Sequence, residues 1–382
     1  MKSIKLSIAP TYVSHWSWWE GVRELIQNAI DAGDHTVLFD QDSITISSCG
    51  GKMPIQSLLM GKTTKEDDDT KIGKFGEGMK VGFLCLLREG ADITVKNGKD
   101  LWKPQFEMDD LFDEKVLSIN IIENQFLSRE ENRVTITIGG IPESAMSLFK
   151  KNYAPARADL EIMVEHEGLG KAYAKKNNQD CRLYVNGLYV TTVKGKYKFD
   201  YDFPAEVFTL DRDRNQASDL EVRWNATRLL SQSDDVLLLA DLGVGDYDDL
   251  EHFDHQDESS YYCRGYDKDT LQERAVKIFQ EQNGYKAFPI NANWSDSRKR
   301  LVTELAISQG RTPITVKKAA YQMLKEEFNV PEVINEIVEF KALDYLEKFL
   351  AKHGRKLYSK PRKDLENTIH MLKVAKGEKN VR

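Results

Sequence analysis

Cysteine is scarce in this 382-residue chain: Cys49, Cys85, Cys181 and Cys263 stand far apart, and no CxxC spacing occurs. That argues against a disulfide framework or a zinc site on paired thiols, and makes reduced thiols the simplest reading. No apolar run approaches the ~20 residues that span a bilayer. The opening MKSIKLSIAP has no apolar core of a secretion signal, so a cytoplasmic protein with no membrane partner is expected. Positive charge is in deficit, with 54 Lys and Arg against 61 Asp and Glu and a formal net charge of -7. Such a balance argues against a protein that coats nucleic acid over its whole surface. Between positions 229 and 263 Lys and Arg are missing altogether while aspartates accumulate, which reads as an acidic linker or loop over 233–263. His252 and His255 lie there among carboxylates, a grouping that can hold a metal and is also common in loops without one. A Walker P-loop is lacking too: Gly61, Lys62 and Thr63 imitate its end, but Gln56 stands where GxxxxGK[ST] needs glycine.

What the chain does have is two segments that gain meaning together, RELIQNAIDAG at 23–33 and GKFGEGMK at 73–80. On a helix, Glu24, Asn28 and Asp31 form one polar stripe, while Val22, Leu25, Ala29 and part of Ile26 form the side that buries. A carboxylate, an amide one turn on and a second carboxylate suit a site for Mg2+ and phosphate; the amide oxygen is a hard ligand and Glu24 can take a proton from water. A solvated helix face has the same pattern. Gly73, Gly76 and Gly78 supply backbone N–H groups that can approach phosphate oxygens with no side chain between. The apolar run 79–87 reads as a helix whose N-terminal dipole faces the same anion. A mobile glycine loop is the alternative.

The first segment resembles the N-box of the GHKL ATPases (gyrase B, ninety-kilodalton heat-shock chaperones, histidine kinases, MutL-type repair proteins). IGKFGEGMK at 72–80 resembles their second glycine box, most like the microrchidia version. The resemblance covers about the first 150 residues and extends more loosely over the next 80. It implies an α+β chain with a Bergerat-type ATP-binding α/β sandwich. It implies Glu24 as general base and Asn28 as Mg2+ ligand. The loop carrying Gly73, Lys74, Phe75, Gly76, Glu77 and Gly78 becomes a lid over the triphosphate, with Asp31, Met79 and Lys80 beside the site and Lys62 and Thr63 at the start of the lid. The implied cofactors are ATP and Mg2+, and the implied activity is slow ATP hydrolysis coupled to lid closure or homodimerisation. The chain departs from the family at the adenine box, usually DNGxG: SCGGKM puts Ser48 at the aspartate, Gly50 at the first glycine and Lys52 at the second, with Met53 following. A neutral hydroxyl in place of a charged acceptor weakens adenine selection by roughly 1–3 kcal/mol. A degenerate binding module without hydrolysis, or an ATP-gated nucleic-acid clamp, are the alternative functions.

Around these segments, Ile4, Leu6 and Ile8 alternate as a short strand closed by Pro10. Ser17 and Glu20 form a capping box. Trp16, Trp18 and Trp19 suit a packing anchor or a base-stacking surface. Strands are expected at 36–39, 43–47 and repeatedly across 91–141, where Lys96 adds positive charge. A second small α/β unit, 151–232, is expected to hold a helix over 159–176 and a hairpin turning at Asn186 and Gly187; its VNG strand resembles the MutL-type transducer. Arg212 and Arg214 suit phosphate or ion pairs with Asp211, Asp213 and Asp219. Residues 264–382 read as a mostly helical region: helices at 271–282, 296–308, 315–327 and 331–350, a strand at 287–290, and a basic tail from Lys341 offering a protein or nucleic-acid contact.

Overall fold

The computed structural model describes residues 2–59, 77–126, 131–175, 180–208, 217–253, 267–330 and 334–375. The chain divides into two compact units, Met1–Leu229 and Leu230–Arg382. Its class is mixed α+β, with mainly antiparallel sheets and several helices.

The first unit runs β1 (Lys2–Lys5), α1 (Trp18–Asp31), β2 (His35–Phe39), β3 (Ile44–Ser48), α2 (Gly78–Arg88), β4 (Asp92–Asn97), β5 (Asp100–Asp109), β6 (Glu114–Ile122), β7 (Val134–Gly139) and α3 (Glu143–Asn152). The seven strands form one sheet in the order β1-β6-β5-β4-β7-β3-β2, every pair antiparallel. Period-two alternation turns Ile44 and Ile46, Ile93 and Val95, Leu117, Ile119 and Ile121, and Val134, Ile136 and Ile138 into the core, where they pack with residues of α1, α2 and α3. Ser17 and Glu20 make the reciprocal capping box of α1. Trp16 and Trp19 are buried, and Trp18 and Trp19 both lie against the Phe149 ring at 6.4 Å. They anchor the start of α1 by packing.

The chain continues with β8 (Ile162–His166), β9 (Gly170–Ala174), β10 (Cys181–Val185), β11 (Leu188–Val193) and β12 (Phe199–Phe203), then α4 (Asp219–Leu230). These five strands make a second sheet, β11-β10-β12-β9-β8, in which only β10 and β12 are parallel. Asn186 and Gly187, both at positive φ, turn the β10–β11 hairpin. The helix expected over 159–176 is instead the β8–β9 hairpin. Gly168 and Gly170 adopt φ of +76° and +110°, and a Cβ at 170 would stand 2.2 Å from Asp202 O, so turn geometry and strand contact override the helical composition.

The second unit comprises α5 (Val236–Val244), α6 (Lys268–Asn283), β13 (Ala287–Asn291), α7 (Asp296–Ser308), β14 (Thr312–Val316), α8 (Lys318–Leu324), α9 (Ile334–His353) and α10 (Ser359–Ala375). The described part of the expected acidic linker, 233–253, is folded: it carries α5 and buries Leu239, Leu242, Leu250 and Phe253. The aspartates cap and pair there, Asp235 accepting from Leu238 N and Asp248 taking the Lys317 ammonium at 2.7 Å. Thr315 and Val316, expected in a helix, belong to β14, because parallel pairing with β13 captures that β-branched run before α8 begins.

Gly50 passes the end of α1 so closely that a Cβ would lie 2.1 Å from Ala32 O, a backbone atom, whereas a Cβ on Gly139 meets nothing within 4 Å. Gly50→Ala is expected to lower the unfolding free energy by about 3 kcal/mol and Gly139→Ala by less than about 0.5 kcal/mol, as read by denaturant unfolding.

Candidate functional site

Helix α1 buries Val22, Leu25, Ile26 and Ala29 completely or nearly so. Its polar stripe, spaced by three and four residues, is Glu24, Gln27, Asn28 and Asp31. Glu24 is 5% exposed and Gln27 2%, while Asn28 and Asp31 are half-buried, so the Glu24 end is not a solvated face.

The second helix explains this burial. A Cβ on Gly21 would meet Leu86 Cγ at 2.9 Å, and one on Gly82 would meet Gly21 O at 3.0 Å, so α1 and α2 approach through glycine. That approach sets Gly78, the first residue of α2, against the stripe: its Cβ would fall 2.4 Å from Glu24 Oε2 and 3.6 Å from Asn28 Nδ2. Two segments distant in sequence thus meet where an acid, an amide and the start of a helix converge.

Each polar group there has a defined state. Glu24 Oε1 lies 3.3 Å from Arg23 Nη2, both side chains buried, and the Arg23 guanidinium stands 5.5 Å from the Trp16 ring centroid. Asn28 donates Nδ2 to Glu24 O at 2.7 Å, and its Oδ1 is a hard acceptor. Among the described residues Gln27 Oε1 has no hydrogen-bond partner, although the residue is buried. Glu77 precedes the first turn of α2, and Met79 is half-buried beside it.

Lys80, expected beside the site, has its ammonium committed to two backbone carbonyls. It is fully buried and donates Nζ to Ser57 O at 2.8 Å and Leu59 O at 2.7 Å; burial holds its pKa below the ordinary lysine value. Its position on the inner face of α2 points the ammonium at the chain that precedes residue 60. This clamp joins residue 80 to the backbone of residues 57 and 59. Lys62, Thr63, Gly73, Lys74, Phe75 and Gly76 lie outside the described residues, as do Arg212, Arg214 and His255. Among the described residues no three His, Cys, Asp or Glu side chains gather as a metal site.

At the other end of α1, Ser48 is buried on the same strand face as Ile44 and Ile46 and pairs in register with His35 and Val134. Gly50 abuts α1 as described above. Lys52, which stands at the second glycine of the box, turns its ammonium onto Asp100 at 2.7 Å, and that contact helps hold the Asp100 carboxyl below its usual range against desolvation, the largest single influence. Met53 is fixed from both sides by one amide: its N–H donates to Asn97 Oδ1 at 2.8 Å and its carbonyl accepts from Asn97 Nδ2 at 2.9 Å.

Arg23, Gln27 and Asn97 went unnoticed in the sequence. Gln27 had a usable signal, its place three residues from Glu24. Asn97 reads locally as half of an Asn-Gly turn and gives no hint of its partner 44 residues away.

No family model matches the chain, and no curated protein matches it.

The Gly78–Glu24 contact is testable without any ligand. Gly78→Ala is expected to cost about 1–2 kcal/mol in thermal or denaturant unfolding, and much less in a Glu24→Ala background, giving a coupling energy above about 0.5 kcal/mol.

Proposed function

We propose that the first unit is a nucleotide-binding module of the GHKL type, with a Bergerat-like sandwich, that takes a purine nucleoside triphosphate with Mg2+ and hydrolyses ATP slowly. The observation that carries the reading is the convergence of Glu24, Asn28 and the glycine start of α2. The residues present suit the metal and the phosphates. Asn28 offers a hard oxygen, its amide tied through Nδ2 to the Glu24 carbonyl; Gly78 brings no side chain of its own to the approach; and the buried Gln27 Oε1, on the same helix, has no hydrogen-bond partner among the described residues.

Mg2+, when bound, offsets phosphate charge and orients the terminal phosphoryl group. Asn28 Oδ1 would hold that ion. Backbone N–H groups at the first turn of α2 would donate to the phosphate oxygens, helped by the helix dipole. Glu24 takes the proton of the attacking water at its Oε atoms; buried beside Gly78, it is shielded from bulk solvent. The ion pair with Arg23 holds the carboxylate in place, and Oε2 is the oxygen on the Gly78 side.

A binding module without hydrolysis is favoured by two observations. Ser48 and Lys52 replace the charged acceptor and the second glycine of the adenine box, and Lys52 is drawn to Asp100. Glu24 must also act while a guanidinium stands 3.3 Å away.

Two variants separate the readings. Glu24→Gln is expected to keep nucleotide binding within about threefold in calorimetric titration with Mg2+ and ATP while lowering phosphate release at least 100-fold. Absence of binding at millimolar nucleotide in the native chain would overturn the whole proposal, and release independent of Glu24 would remove its assigned role. Ser48→Asp restores a charged acceptor and is expected to improve the preference for ATP over GTP about tenfold or more, corresponding to roughly 1–3 kcal/mol.

A further inference from the structure

Away from α1, the five-stranded sheet of the first unit carries a cavity of about 540 Å³ lined by Tyr153, Arg157, Glu165, Lys171, Tyr173 and Asp202, among others. Its volume suits a small molecule or one long side chain. Cross-strand register explains how these groups meet: Asp202 on β12 pairs with Lys171 on β9, and Lys171 with Glu165 on β8. Asp202 is the polar centre. Its Oδ1 accepts from Gly187 N at 2.8 Å and its Oδ2 from the Tyr173 hydroxyl at 3.4 Å.

The charges around it are unevenly committed. The Arg157 guanidinium is held by both oxygens of Asp159, at 3.0 and 2.7 Å. Lys171 Nζ pairs with Glu165 at 2.8 Å. Among the described residues, Asp202 accepts only from neutral donors, a peptide N–H and a phenol. A carboxylate so placed, with Tyr153 and Tyr173 in the same lining, disfavours an anion and favours a cation, because aromatic rings and a carboxylate both attract an ammonium. Leu160, Ile162 and Pro155 line the same cavity and suit an aliphatic stem.

We propose that this cavity binds an ammonium group on an aliphatic stem, either a free alkylamine or the lysine side chain of a peptide, with Asp202 as its counter-ion. The site is independent of the nucleotide reading. Burial raises the Asp202 carboxyl to about 6, against the lowering influence of Gly187 N–H, Lys171 and Tyr173. Binding is therefore full above that value and is lost as Asp202 takes up a proton below it. His35 and His166 also line the cavity.

The test is calorimetric or NMR titration of the full chain with spermidine and with a capped Gly-Lys-Gly peptide, each compared with its N-acetylated form. Saturable binding of at least one amine is expected at pH 7.5, falling about tenfold at pH 5, with no binding of the acetylated forms. Asp202→Asn is expected to lower affinity at least tenfold and to flatten most of the pH dependence. Whichever amine binds more tightly identifies the source of the ammonium. The proposal is overturned if neither amine binds at millimolar concentration, if acetylation makes no difference, or if a folded Asp202→Asn chain binds as the native one does. Should that variant fail to fold, unchanged affinity of the native chain between pH 7.5 and 5 overturns it equally.

Discussion

The first unit depends on how closely α1 and α2 can approach. Gly21 and Gly82 remove the side chains that would hold the helices apart, and Leu25 and Leu86 fill the seam around them. Ordinary helix pairs keep their axes 8–10 Å apart, and small residues at the contact take the near end of that range. From this one contact follow the burial of Glu24, the seat of Gly78 against it, and the inward direction of Lys80. A polar stripe that would otherwise face solvent is buried at its Glu24 end and forms the wall of the proposed site.

The same economy of side chains recurs at the other end of α1. Gly50 lets the chain leave β3 against Ala32, and Asn97 then fixes Met53 by two hydrogen bonds. The backbone around Ser48 is thus firmly held even though the expected acidic acceptor is absent. The phosphate end and the base end of the proposed site are under different constraints: the first rests on helix packing, the second on one side chain.

Local signals in the sequence were read well wherever the physics is local. The Ser17 and Glu20 capping box, the Asn186-Gly187 turn, the strands on either side of 40–43 and the helix Asp296–Ser308 all depend on neighbours within a few residues. Failures came where distant contacts decide. The 159–176 stretch has helical composition, yet its glycines turn it and β12 pairs with it; Thr315 is claimed by β13 rather than by the helix after it. The acidic stretch before 253 looked like a linker because its charge was visible and its burial was not. On α1, the shared face of Glu24 and Asn28 was legible from their one-turn spacing. Lys80 was legible as a charge but not as a clamp, since Ser57 and Leu59 approach it only in the folded chain.

The most direct measurement of the central claim is a crystal structure of the chain with Mg2+ and a non-hydrolysable ATP analogue. The account predicts the metal at about 2.1 Å from Asn28 Oδ1, the phosphates at the first turn of α2, and the purine beside Ser48. A nucleotide lodged elsewhere, or phosphates bound with neither Asn28 nor the start of α2 in contact, would contradict it.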